Sequence, residues 1–167
     1  MALSKELCGI LALGVQKERA AREFYVQAAA KTTVPVGKRM LKLLADEETK
    51  HEELLASWSA AGACPIEMAF SEAGRELLVR GKTKVAGETK PQTGDLEAIG
   101  IGQEMERKAI AFYADAAAGA ADQASKDLLR RLEGEEKKHL ALLADLYEYM
   151  KDPSLWSVRD EGSHFDS

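Results

Sequence analysis

Two copies of one short motif are the part of this sequence best suited to chemistry. Each copy is a glutamate followed three residues later by a histidine, at Glu48 and His51 and again at Glu136 and His139. Residues three apart share one face of a helix, so each carboxylate and imidazole would point the same way. Carboxylate and imidazole together suit iron or manganese, and also zinc. The repetition makes a shared metal site the first hypothesis.

The two motifs belong to a longer internal repeat. Residues 18–51 align without a gap on residues 106–139, and 15 of the 34 aligned positions are identical. In this alignment Glu18 falls on Glu106, so each copy carries one further glutamate ahead of its motif. The sequence therefore predicts two similar units, each a pair of helices.

Four helices are needed to position these residues, and the composition, rich in alanine, leucine, glutamate and lysine, favours them. Pro35 interrupts the first unit, and Pro153 ends the second. Short loops inside each unit make its helices antiparallel neighbours, while a long segment with several glycines and prolines joins the units. Two helical hairpins joined by one long crossover are typical of an all-α, ferritin-like four-helix bundle. The predicted helices cover residues 4–31, 36–60, 95–119 and 122–151, with a bundle over 1–151, a crossover at 61–93 and an irregular tail at 152–167.

The glutamates and histidines fall on the apolar faces of these helices. Glu48 and His51, for example, lie inside a stripe formed by Leu41, Leu44 and Leu55. Burying a carboxylate without compensation costs several kcal/mol, and a metal cluster would compensate. Two Glu-x-x-His pairs plus one glutamate from each other helix is the di-iron or di-manganese arrangement. The candidate metal ligands are Glu18, Glu48, His51, Glu106, Glu136 and His139.

On these residues the chain resembles the rubrerythrin-type branch of the ferritin-like di-iron carboxylate family. The resemblance covers about residues 4–150. It implies two metal ions per chain, iron first, with manganese or zinc as alternatives. It also implies that two glutamates bridge the metals and that each metal has one terminal glutamate and one histidine: Glu48 and Glu136 as bridges, Glu18 with His51, and Glu106 with His139.

The chain departs from rubrerythrins in two respects. Rubrerythrins have another glutamate one turn after the ligand of the third helix, where this chain has Ala109. Its absence makes the site more symmetric, closer to the ligand set of bacterioferritins. Rubrerythrins also carry a C-terminal rubredoxin domain with four cysteines, whereas residues 152–167 contain none. The resemblance therefore implies a separate electron donor, such as a rubredoxin-like protein.

Two tyrosines recur at equivalent positions of the repeat. Tyr25 and Tyr113 each follow the first glutamate of their unit by two helical turns, so both should face the same seam. They could hydrogen-bond a ligand carboxylate and fix its orientation, a supporting catalytic role. They could equally be ordinary core tyrosines. The two interpretations are compatible, and both stay open at this point.

The predicted function is an oxidoreductase that reduces peroxide or dioxygen at the dinuclear site, in defence against oxidative stress. One alternative is a ferroxidase or iron-handling protein of the bacterioferritin type. Another is a non-enzymatic helical module stabilised by metal. We expect a homodimer rather than a large shell.

Charge and hydropathy exclude other classes of function. The net charge of −5 argues against a nucleic-acid partner, which needs a basic surface. Residues 7–15 form an apolar run, but no basic segment precedes it, so we interpret it as part of the first helix rather than a targeting signal. No stretch approaches the ~18 apolar residues of a membrane span.

Cys8 and Cys64 form no CxxC pair, and we expect both to be reduced thiols in a cytoplasmic protein.

Overall fold

The structure, a computed structural model, describes residues 3–62 and 94–152. Within these ranges the chain forms four long helices and no strands, which confirms the predicted all-α bundle. No helix of the described part is long and apolar enough to cross a membrane. The helices are α1 (Lys5–Lys31), α2 (Pro35–Ala61), α3 (Gly94–Gly119) and α4 (Gln123–Lys151).

Local sequence signals set the helix ends. Ser4 caps α1 by accepting a hydrogen bond from the Leu7 N–H, and Asp122 caps α4 by accepting one from Ser125. We predicted that Pro35 would lie in the break between α1 and α2, but it is the first residue of α2. The reason is that a helix needs no N–H donor at its first position, where the fixed φ of proline already suits it.

The buried apolar side chains form two clusters at opposite ends of the bundle. Between them, in every helix, lie the charged residues singled out from the sequence. The first core cluster comprises Leu7, Cys8, Leu11, Leu55, Tyr113, Ala116, Ala117, Leu128, Leu129 and Leu132. The second core cluster comprises Phe24, Tyr25, Ala28, Ala29, Leu41, Leu44, Ala45, Ile99, Leu143 and Leu146.

The order of these clusters along each helix gives the topology. Helices α1 and α4 run from the first core cluster to the second, while α2 and α3 run the opposite way. The closest packing is within each hairpin, α1 with α2 and α3 with α4, and α1 also contacts α3 as α2 contacts α4. Helix α2 ends and α3 begins at opposite ends of the bundle, which is the arrangement that a crossover between them would connect. Residues 63–93 of that predicted crossover, and residues 153–167 of the predicted tail, lie outside the described residues.

One prediction about the cysteines is wrong. Cys8 is disulfide-bonded rather than a reduced thiol, and the other cysteine of the sequence, Cys64, lies outside the described residues. The hairpin brings the end of α2 back to the start of α1, where the Leu3 N–H donates to the Gly62 carbonyl over 3.4 Å. The spacing of the cysteines along the sequence does not show that the fold brings the end of α2 close to the start of α1.

Two helical glycines offer a direct test of this helical framework. Among the described residues, a methyl group at Gly100 in α3 or at Gly134 in α4 would meet nothing within 4 Å. Alanine loses less conformational freedom than glycine in a helix, so Gly100→Ala and Gly134→Ala should each raise the free energy of unfolding by about 0.5–1 kcal/mol. Urea unfolding of the metal-free protein would measure this, and a loss of stability would contradict the helical assignment at that position.

Candidate metal centre

Four glutamates and two histidines meet in the middle of the bundle, between the two core clusters. Each of α1 and α3 contributes one glutamate, and each of α2 and α4 contributes a glutamate and a histidine one turn apart. All six are buried, with exposed fractions of at most 6%. The structure thus brings together all six residues predicted from the sequence: Glu18, Glu48, His51, Glu106, Glu136 and His139.

One half of this cluster is centred on His51. Its Nδ1 atom lies 3.0 Å from Glu136 Oε1, 3.3 Å from Glu48 Oε2 and 3.4 Å from Glu18 Oε2. One nitrogen therefore faces three carboxylate oxygens, which come from three different helices. These four atoms, one nitrogen and three oxygens, are all potential metal ligands and lie close together.

The other half is centred on His139 and repeats the pattern. Its Nδ1 atom lies 3.1 Å from Glu48 Oε1, 3.5 Å from Glu136 Oε2 and 3.9 Å from Glu106 Oε1. The two imidazole rings are stacked, with centroids 5.3 Å apart. Glu48 and Glu136 thus turn one oxygen toward each histidine, whereas Glu18 approaches only His51 and Glu106 only His139.

Several nitrogen and oxygen atoms of this cluster that could bind a metal lack a hydrogen-bond partner among the described residues. Among the described residues, Glu48 Oε2, His51 Nδ1 and Glu136 Oε1 are buried and make no hydrogen bond. His51 Nδ1 and Glu136 Oε1 are close, but their geometry is not that of a hydrogen bond. Buried polar atoms without partners are costly, and cations would satisfy all three. One ligand atom from each Glu-x-x-His residue lies within 4.8 Å of the others, so the donor set fits a pair of metal ions.

The protonation of the metal-free cluster reflects the same crowding. Burial raises the pKa of Glu48 well above its usual range, and Glu18 adds to this. Burial and the Glu136 carboxylate raise the pKa of Glu106 to about 9. Burial alone would lower the pKa of His51, but contacts with Glu136, Glu18 and Glu48 outweigh it and raise that pKa to about 11. In the metal-free protein, protons bound to these residues therefore supply the positive charge that the crowded carboxylates require.

The two predicted tyrosines contact the cluster in a crossed manner. Tyr25 of α1 donates its hydroxyl hydrogen bond to Glu106 of α3, and Tyr113 of α3 donates to Glu18 of α1. Both side chains are fully buried and belong to the core clusters. Each tyrosine thus fills the core and hydrogen-bonds a buried glutamate, while a supporting catalytic role stays a prediction. What the sequence did not show is that each tyrosine serves the glutamate of the other unit.

The glutamates that flank the motifs do not enter the cluster. Glu47 and Glu135 point outward and pair with Lys50 and Lys138. Sequence reasoning gave no role to two glycines that touch the tyrosines, Gly14 and Gly102. They lie four residues before Glu18 and Glu106, so extending the repeat alignment would have found them.

Comparisons with known proteins agree with this geometry. The family model for rubrerythrin matches residues 9–147. The chain belongs to the rubrerythrin family. No curated protein matches it. Among solved structures, it is similar to "Hypothetical Protein Pfu-1136390-001" from Pyrococcus furiosus, with 25% sequence identity and a TM-score of 0.74 over 90% of this chain and 98% of that one. Family membership and the buried cluster together support a dinuclear metal site of the carboxylate type.

The crowding of the carboxylates predicts how stability depends on pH. Glu48→Gln keeps the shape of a protonated glutamate, so the metal-free variant should be more stable than the parent protein at neutral pH, by about 1–4 kcal/mol. Below the ordinary glutamate pKa of 4.5, Glu48 is protonated in both the folded and the unfolded chain, and the gain should vanish. Above it, the unfolded chain ionises while the folded chain resists, so the gain should grow with pH.

Urea unfolding of both metal-free proteins between pH 4 and pH 8 would measure this gain. Glu47→Gln is the matched control, because Glu47 is the neighbouring residue and lies outside the cluster in an ion pair with Lys50. That control should lack the gain. A Glu48→Gln protein less stable than the parent throughout the pH range would contradict this description of the site.

Proposed function

We propose that the protein is a di-iron oxidoreductase that reduces hydrogen peroxide or dioxygen at the buried cluster. The main support for the proposal is the way in which the oxygens of the four glutamates are distributed between the two histidines. Glu48 and Glu136 each face both histidines, and each histidine has one glutamate of its own. Two shared and two separate carboxylates are what a pair of equivalent metal ions requires.

Each residue then has a defined role in holding the metals. Glu48 and Glu136 would bridge the two ions, because each offers one oxygen to either side. Glu18 and His51 would complete the ligands of one ion, and Glu106 and His139 would complete those of the other. Iron is our first choice among the metals that this donor set accepts, with manganese or zinc as alternatives.

Two ferrous ions held side by side can supply both electrons for peroxide in one event. Reducing hydrogen peroxide to two waters breaks the O–O bond and consumes two electrons and two protons. The chain itself supplies a dry, preorganised site. The core clusters cover both ends of it, and the hydroxyls of Tyr25 and Tyr113 hold protons against Glu106 and Glu18. Electrons would return from a separate donor such as a rubredoxin-like protein. That donor, the homodimer, the cytoplasmic location and the role in oxidative stress stay predictions.

A ferroxidase of the bacterioferritin type is the second candidate. The observation that favours it is the near two-fold symmetry of the site. Ala109 stands where rubrerythrins have a further glutamate, and its side chain packs against the first core cluster. With no additional carboxylate from that position, the two metal positions have matching sets of donors. Such a site suits repeated oxidation of iron as well as the reduction of peroxide.

Rapid mixing of the ferrous-loaded protein with hydrogen peroxide or with dioxygen tests the proposal. We expect peroxide to oxidise both irons quickly, with a new absorption band, and an added electron donor to make the reaction catalytic. Glu136→Gln should lower iron affinity and the rate at least about tenfold, because it removes a shared carboxylate. Glu135→Gln, the matched control next to it, should behave like the parent protein, since Glu135 pairs with Lys138 outside the cluster.

The other outcomes point to the alternatives. A site that stays ferrous in peroxide would contradict the proposal. Faster reaction with dioxygen, followed by repeated oxidation of added ferrous iron, would favour the ferroxidase. Tight binding of zinc with no response to either oxidant would favour a helical module stabilised by metal.

A further inference from the structure

Two glycines occupy equivalent places beside the metal centre. Gly14 in α1 and Gly102 in α3 each lie one helical turn before the glutamate of the same helix, and both are buried. A glycine weakens a helix relative to alanine, so its presence in the helix interior calls for a reason. The reason lies in what a side chain would meet at these positions.

At Gly102 the space is taken by the tyrosine that crosses from the other unit. A Cβ atom here would lie 3.1 Å from Cε1 of Tyr25, 3.4 Å from its hydroxyl oxygen and 3.3 Å from Cδ1 of Leu143. Tyr25 is fully buried and cannot move aside easily, since its rigid ring packs in the second core cluster and its hydroxyl is bonded to Glu106. A methyl group at this position would therefore force the ring, and the hydroxyl that it carries, to shift by a few tenths of an ångström.

Gly14 repeats this arrangement, but there the nearest obstacle is the flexible side chain of a leucine. A Cβ atom there would lie 3.0 Å from Cδ1 of Leu55 and 3.4 Å from the hydroxyl oxygen of Tyr113. Leu55 and Leu143 are themselves equivalent in the repeat alignment. The flexible end of Leu55 can yield more easily than an aromatic ring, so the constraint is tighter at Gly102 than at Gly14.

We infer that Gly102 is a positioning residue whose missing side chain leaves the space through which Tyr25 reaches Glu106. Gly14 has the same role for Tyr113 and Glu18. The hydrogen bond matters because it fixes where the carboxylate lies. Glu106 Oε1 accepts from Tyr25 and is also the oxygen that lies 3.9 Å from Nδ1 of His139. Glu18 gives Oε1 to Tyr113 and turns Oε2 toward His51. The inference rests on the proposed function as far as these glutamates bind metal, while the contact between glycine and tyrosine can be tested without metal.

The first test uses the metal-free protein and the near-ultraviolet absorption of Tyr25. Subtracting the spectrum of Tyr25→Phe from that of the parent isolates the Tyr25 band, which lies at longer wavelength when the hydroxyl donates to a carboxylate. Gly102→Ala, with its own Tyr25→Phe double variant as the reference, should shift this band to shorter wavelength. Gly100→Ala, two residues away in the same helix, should leave it unchanged, because a methyl group there would meet none of the described atoms within 4 Å. An unshifted band in a folded Gly102→Ala protein would overturn the inference.

The second test asks whether Gly102 acts on the metal site through the tyrosine hydroxyl. Gly102→Ala should weaken binding of ferrous iron by ~10–100-fold, the effect of losing a group that orients a ligand. In a Tyr25→Phe background the same change should weaken binding no further, because no hydroxyl remains to be displaced. A purely structural role would weaken binding equally in both backgrounds and would overturn the inference.

The two tests also separate this inference from the proposed function. If the parent protein binds no iron, the proposed function fails, yet the Tyr25 band still decides whether Gly102 positions the tyrosine. If Gly102→Ala does not fold, Gly14→Ala provides the same pair of tests on Tyr113 and Glu18, with a smaller expected shift because Leu55 can yield.

Discussion

Four carboxylates and two imidazoles buried at one level of a helical bundle form the constraint that organises this protein. Apolar clusters above and below keep water away from them, and the mutual repulsion of the carboxylates is relieved in the metal-free state only by protons. The histidines carry part of that positive charge, since nearby carboxylates hold the pKa of His51 at about 11 against the opposing effect of burial. Such a layer does not favour folding by itself. Its retention in the core is best explained by cations that replace the protons.

The duplicated sequence distributes the site over both hairpins, so that neither hairpin contains a complete half. His51 of the first unit faces Glu136 of the second, and His139 of the second faces Glu48 of the first. The tyrosine hydrogen bonds cross in the same way between α1 and α3. Packing is closer within each hairpin than between them, and the shared site links the two halves together with the two core clusters. Metal binding and the association of the hairpins should therefore be coupled.

Much of this arrangement could be predicted from the sequence, and the reasons are physical. Glu48 and His51 were identifiable because charged residues inside an apolar stripe must be buried, and the repeat supplied the matching pair. The predicted starts of the first and fourth helices, at residues 4 and 122, coincide with Ser4 and Asp122, whose side chains cap the first turns in the structure. The crossing of the tyrosines was not predictable, since periodicity places a residue on a helix face without saying which neighbouring helix it reaches. The disulfide bond of Cys8 and the tight space at Gly102 likewise depend on which chain segments come close together in the fold.

Anaerobic titration of the metal-free protein with ferrous iron at pH 7 shows whether the buried cluster is a dinuclear metal site, provided that both the ions bound and the protons released are counted. We expect saturation at two ions per chain. We also expect release of at least two protons per chain, because a pKa of about 11 for His51 and about 9 for Glu106 leaves both groups protonated before the metal binds. Failure to bind iron in a fixed ratio, or binding without release of protons, would show that the cluster is not a dinuclear metal site of this kind.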